Sequence, residues 1–281
     1  MEIEYLPGIK PGGKIDLSRF EKGPKTPAPE TYLSGLNNRL ESLAGRLNAE
    51  YGDFFEDNCQ VKMAGADASS DQTLIAAKEK GWAADCGKTL ATMAADREKN
   101  PANIAEIAAT LLFDKILRGE FIVMRASVYD DYENSADQLI IDKRTGAVIC
   151  GLDDAILGSS VKDDGEKKKT KIDKKMENGG AEIRYGLAMN RGFLERQELK
   201  HIPIFYFNLG KPDLNGLLAS LATDSPDLTA AEMATYTKMV DSLLEQAEKY
   251  GADKTLHPGL KDNLQNFAPS LKKMRAHIQP N

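Results

Sequence analysis

Histidine, cysteine and tryptophan are scarce in this chain, with three, three and one among 281 residues. His201, His257 and His277 form no HxxxH pair and stand at no metal spacing from a cysteine, which argues against a zinc site. Cys59, Cys86 and Cys150 lie far apart with no CxxC, the pattern of reduced thiols in an intracellular protein and not of a disulfide framework. No stretch approaches the roughly 20 apolar residues that span a bilayer, and no basic segment followed by an apolar run opens the chain. The expectation is a cytoplasmic protein without membrane contact. GxSxG, GxxxxGK[ST] and GxGxxG are all missing, so neither a nucleophile elbow nor a strand-to-helix phosphate loop is signalled. Positive charge is not in excess either: the net charge of −6 argues against a protein coated in nucleic acid and leaves open only a local basic site for it.

What is present is a globular composition, 41% apolar and 28% charged, enough for one large domain or two modest ones. Residues 1–29 hold five prolines and four glycines and read as an extended arm that lies on its own domain or reaches a protein partner. Within it, the glycine-rich Pro7–Lys14 precedes no helix and reads as flexible arm. From Glu30 the pattern turns helical. Leu33, Leu36, Leu40, Leu43 and Leu47 recur at spacings of three and four, which sets them on one helical face, to be buried within the chain. A second helical region spans about 70–99 and carries Trp82, with Gly81 placed to end one helix and begin another. A third opens on Pro101, in the favoured first helical position, and runs to about Arg118.

Strand chemistry begins at Phe121 with FIVMRASVY and resumes at Asp137–Asp142, Ala147–Asp153, Ala181–Met189 and Ile202–Asn208. Apolar residues on both faces of IPIFYFN point to a central strand covered on both sides, with Pro203 at its start. Asp213 is placed to cap a short helix, Thr229 and Glu232 form a capping-box pattern ahead of a helix to about Tyr250, and Pro258 and Pro269 each open a short helix. The segment Lys162–Lys175, with seven lysines against four acidic residues, reads as a mobile loop. The class is α/β of the mixed α+β kind: an arm at 1–29, a helical region at 30–119, a sheet of about five strands at 120–210, and helices at 211–281 that pack on the sheet.

The stretch Ala136–Ile156 carries the chemistry. It reads as two apolar strands joined by a tight turn, with a carboxylate at the open end of each. A three-residue loop Arg144-Thr145-Gly146 sets Asp142 opposite Val148, Ile141 opposite Ile149, and Asp137 opposite Asp153 on one face, whereas a four-residue loop pairs Asp137 with Leu152. Two like charges so placed repel unless something positive lies between them, and Mg²⁺, bound through one or two carboxylates and several waters, meets that need. Tyr129, Asp130, Asp131 and Glu133 add an acidic loop nearby, either as further ligands or as an exposed turn.

A helix, a strand, a hairpin with Asp137 on its first strand and Asp153 on its second, and a later strand resemble the core of the restriction-endonuclease-like, PD-(D/E)XK nuclease superfamily over roughly Pro101–Asn208. The resemblance implies metal-dependent hydrolysis of a phosphodiester, with Asp137 and Asp153 as catalytic and metal-binding residues and Mg²⁺ as cofactor. It also implies a lysine two positions after the second acid. That position is Ala155, so the lysine has to come from elsewhere, and the lysines of 162–175 follow directly. Some such nucleases add a glutamate from the preceding helix; Glu106 is the candidate, and at 100° per residue it falls opposite Ile104, Ile107 and Leu111 as a surface residue would, although Phe113 and Leu117 share its side and leave open a helix buried all round. The alternative is a non-catalytic protein of this or another α+β architecture that binds a partner through its arm and leucine helix.

Overall fold

The leucine stripe is buried along α1 (Leu33–Tyr51), which packs on α4 (Pro101–Leu117), so the apolar face is spent inside the chain. Each leucine contributes roughly 1.5–3 kcal/mol by leaving water. The computed structural model describes residues 27–157, 163–223 and 225–278; the arm at 1–26 lies outside the described residues, and Pro29–Tyr32 forms a single 3₁₀ turn.

Between α1 and α4 stand α2 (Ala68–Asp85) and α3 (Leu90–Glu98). The break expected at Gly81 does not occur there. It falls at Gly87, whose φ of +63° lets the Gly87 and Lys88 amides return to the carbonyls of Ala84 and Ala83 at 2.9 and 2.8 Å. Of α2 only Asp71, Ile75 and Ala83 are buried, and of α3 no residue is, so this helical pair stands off the core. Helix α4 is the opposite case: Asn100 caps it, Pro101 opens it, and apolar residues are buried nearly all round it.

Strands β1 (Phe121–Arg125), β2 (Gln138–Asp142) and β3 (Val148–Leu157) form an antiparallel meander. The first strand is shorter than expected because Ser127 caps α5 (Val128–Asn134), accepting the Asp130 amide at 3.0 Å. After β3 comes α6 (Asp163–Glu177), where a mobile loop was expected. Ile172 and Met176, one turn apart, are fully buried and anchor it, and lysine and glutamate are good helix formers.

The five predicted strands do not make one sheet. β4 (Ala181–Asn190) pairs with β5 (Phe193–Ile202) as a separate antiparallel ribbon, and β6 (Ile204–Gly210) pairs parallel to β3 in the order β1-β2-β3-β6. β5 escaped the sequence reading because only Leu194, Leu199 and Ile202 of its ten residues are buried. β6 is therefore an edge strand, not a central one. Its apolar residues are covered by helices all the same, Phe205 against Phe267 at 5.0 Å and Phe207 against Phe113 at 6.0 Å between ring centroids.

Helices α7 (Lys211–Leu221), α8 (Ala230–Gly251) and α9 (Pro258–Ala276) complete the chain. Thr229 and Glu232 form the capping box of α8. Gly210, not Asp213, occupies the cap position of α7, and Asp213 lies in its first turn, bonded to Lys238 at 2.6 Å. α9 runs straight through Pro269, because its buried face from Leu260 to Met274 continues on both sides and packing outweighs one lost N–H. Gln246 of α8 reaches the open side of β6, accepting the Tyr206 amide at 3.1 Å and donating to the Tyr206 carbonyl at 2.6 Å.

Candidate active site

The hairpin turn is one residue longer than the three-residue loop expected. Asp142 bonds Ala147 across it at 3.1 Å and Ile141, not Asp142, faces Val148. A bulge between Ile140 and Ile141 then restores the pairing, with Ile140 opposite Cys150 and Gln138 opposite Leu152. The extra residue and the bulge offset each other. Asp137, just before β2, donates its amide to the Leu152 carbonyl at 2.8 Å, which leaves Asp137 and Asp153 at the same end of the hairpin. Both carboxylates are buried, at 8% and 4% exposure.

Lys168 of α6 meets them. Its Nζ lies 2.7 Å from Asp153 Oδ1. Burial acts to lower its pKa, but the charges of Asp153 and Asp137 outweigh burial and hold the ammonium well above the ordinary lysine range. Glu106, read as a surface residue, turns inward with its side chain only 15% exposed and its Oε2 3.1 Å from Arg125 Nη2. Burial raises the Glu106 carboxyl and Arg125 pulls it back. Arg125 also binds Asn103 Oδ1 at 3.1 Å, and the Glu106 carbonyl accepts from Gln138 Nε2 at 2.9 Å, so α4, β1 and β2 are tied together beside the hairpin.

The acidic segment 129–133 divides into two kinds of residue. Asp130 is fully buried and accepts the amides of Arg184 and Tyr185 at 2.8 and 3.0 Å, so it fastens α5 to β4. Asp131 faces the cleft and pairs with Arg97 at 3.0 Å. Burial and the neighbouring Asp137 push its carboxyl up to about 7. A cavity of 410 Å³ joins Glu106, Asp131, Asp137 and Lys168 to Trp82, Arg97 and Tyr132 on the α2, α3 and α5 side.

Sequence reasoning placed Asp137 and Asp153 at one end of the hairpin, offered Lys168 only as one of seven lysines in a loop, left Glu106 between surface and core, and did not foresee Arg125. A signal for Lys168 was available: at 100° per residue, Lys168, Ile172, Lys175 and Met176 share one face of a helix, and the two apolar members mark that face as buried. For Glu106 the signal was the near-complete apolar girth of α4, which leaves no solvent face of ordinary width.

Among the described residues, no three His, Cys, Asp or Glu side chains stand close enough to hold a metal ion as a group. Mg²⁺ needs fewer protein ligands, since one or two carboxylates commonly hold it while waters complete the octahedron. The buried oxygens of Asp137 and Asp153 fit that donor set. No family model, curated protein or solved structure matches this chain.

Proposed function

We propose that this chain is a metal-dependent phosphodiesterase of nuclease type, in which Asp137 and Asp153 hold a divalent cation such as Mg²⁺ and Lys168 supplies the positive charge absent at Ala155. The observation that carries the reading is the contact of Lys168 with Asp153 at 2.7 Å. When bound, the cation polarises a phosphoryl oxygen and lowers the pKa of its water.

The chain's own residues do the remaining work. Lys168 places an ammonium beside Asp153, where it stabilises charge developing on the scissile phosphate. Ile172 and Met176 anchor the helix that carries it, and a rigid element of that kind holds a catalytic group to about half an ångström. Arg125 fixes Glu106 toward the same cavity, adding a third carboxylate that can receive a proton or orient a water. Of the two surfaces named in the alternative reading, the leucine face is buried against α4, and the arm lies outside the described residues.

The test is cleavage of single- and double-stranded DNA and RNA with Mg²⁺ or Mn²⁺ by the wild type and by Asp137→Asn, Asp153→Asn and Lys168→Met. Metal-dependent cutting lost in all three, with circular dichroism unchanged, is the expected result. No cutting of any substrate, together with no metal bound at millimolar concentration in calorimetry, overturns the proposal.

A further inference from the structure

We infer that the site takes an unpaired nucleotide, with its base stacked on Trp82; this rests on the reading of the cavity as a phosphodiesterase site. Trp82 is a large aromatic residue left 45% exposed at the rim of the 410 Å³ cavity that also holds Asp137 and Lys168. Its indole meets the Tyr132 ring edge-on, with centroids 5.0 Å apart, and the Arg97 guanidinium lies 4.6 Å from the Tyr132 centroid. Tyr132 is fixed in turn by its hydroxyl, which donates to Glu79 at 2.6 Å. An indole held in place by such neighbours, yet half open, is a preformed platform for a flat ring.

Charge decides between an unpaired strand and a duplex. A duplex keeps its bases stacked on each other and offers phosphates, so its binding needs several cations free to meet them. Here the cations facing the cleft are already engaged: Arg97 with Asp131, Arg125 with Glu106, and Lys168 with Asp153. The chain as a whole carries −6. Affinity has to come from a neutral contact, and stacking provides one that tolerates any base because every base has a π-face.

The surroundings fit the next nucleotide of a strand. A second cavity of 730 Å³ shares Met93, Arg97 and Asn103 with the first, and its wall carries the amides of Asn37, Asn38, Asn58 and Gln60. Asn58 and Gln60 bond each other, Asn37 bonds Glu98, and the same wall carries Glu41, Asp57 and Glu79, so these amides meet the donors and acceptors of a base edge by exchanging their present partners. Buried Arg125 also borders this cavity, and its Nε has no hydrogen-bond partner among the described residues.

Trp82 is the only tryptophan, so intrinsic fluorescence reads the platform directly. Wild-type protein in EDTA, where no metal-dependent cutting occurs, is titrated with oligothymidylate and with a blunt duplex. The single strand should quench the emission at concentrations where the duplex leaves it unchanged. By anisotropy of a labelled oligothymidylate, Trp82→Ala should bind about tenfold to a hundredfold more weakly and Trp82→Phe should recover most of the loss. Equal or stronger quenching by duplex, or Trp82→Ala binding like wild type, overturns the inference. Hydrolysis of methyl 4-nitrophenyl phosphate by the wild type with Mn²⁺ tests the underlying reading separately, because that small diester has no nucleobase. If this diester and the DNA and RNA substrates all stay intact and no metal binds, the phosphodiesterase reading fails; if hydrolysis is present and the quenching is not, only the stacking inference fails.

Discussion

Lys168 Nζ and Asp153 Oδ1 stand 2.7 Å apart, joining the first half of α6 to the middle of β3. The lysine side chain keeps 39% of its exposure, which screens part of the pair, but the Asp153 side chain is only 5% exposed and loses its counter-charge when the lysine is removed. Lys168→Met should lower the melting temperature by several degrees without unfolding the protein at about 25 °C and lower the turnover of a phosphodiester about 10²- to 10³-fold. Lys168→Arg should recover part of the rate. Turnover that survives Lys168→Met would assign the residue to structure alone.

Lys115 and Glu232 form a buried ion pair at 2.9 Å between α4 and the first turn of α8. Removing the lysine strands a charge that also belongs to a capping box. Lys115→Met should cost about 3–5 kcal/mol in urea unfolding, and the double variant Lys115→Met with Glu232→Leu should cost less than the single one apart from the lost cap. Additive costs would mean that the two side chains are not coupled.

Asp142 governs part of the acid response. Burial pushes its carboxyl up, but the Ser270 hydroxyl at 2.8 Å, the Arg144 amide at 2.8 Å and the Lys273 ammonium outweigh burial and hold it below the usual carboxylate range. A carboxyl depressed in the folded state contributes stability above its unfolded pKa of about 3.9, and that contribution is lost as pH falls through the lower folded value. Asp142→Asn should be less stable than wild type at pH 7 and should converge on it toward pH 2, as read from urea midpoints across that range. A constant difference at every pH would refute the assignment.

Gly146 sits at φ +75° in the hairpin turn, and a Cβ there would fall 1.9 Å from the Met189 carbonyl oxygen. Its own carbonyl accepts the Met189 amide at 2.8 Å, so the turn is docked on the end of β4 and cannot move away cheaply. Gly146→Ala should destabilise by at least about 2 kcal/mol, checked by thermal unfolding.

The two carboxylates were legible in the sequence because the hairpin is local, and alternation with turn chemistry places its ends within a short span. The lysine was harder, since α6 is mostly charge and only Ile172 and Met176 reveal that it is anchored. β5 was hidden for a related reason, being a ribbon strand whose run Glu195–Glu198 is exposed on both faces. The position of β6 was misread because helices cover its apolar side chains whether its outer backbone is paired or open. Gly81 was misread because a helix absorbs one glycine for about 1 kcal/mol, while Gly87 supplies the left-handed turn that ends it.

The outer side of β6 bears on the protein's behaviour at high concentration. An apolar edge strand is a template on which a second chain can add its own backbone. Gln246 occupies one rung of that template, offering the Tyr206 backbone an amide in place of a neighbouring strand. A single side chain rooted in α8 thus stands where a neighbouring strand would have to pair with Tyr206, and a second chain could add there only by displacing it.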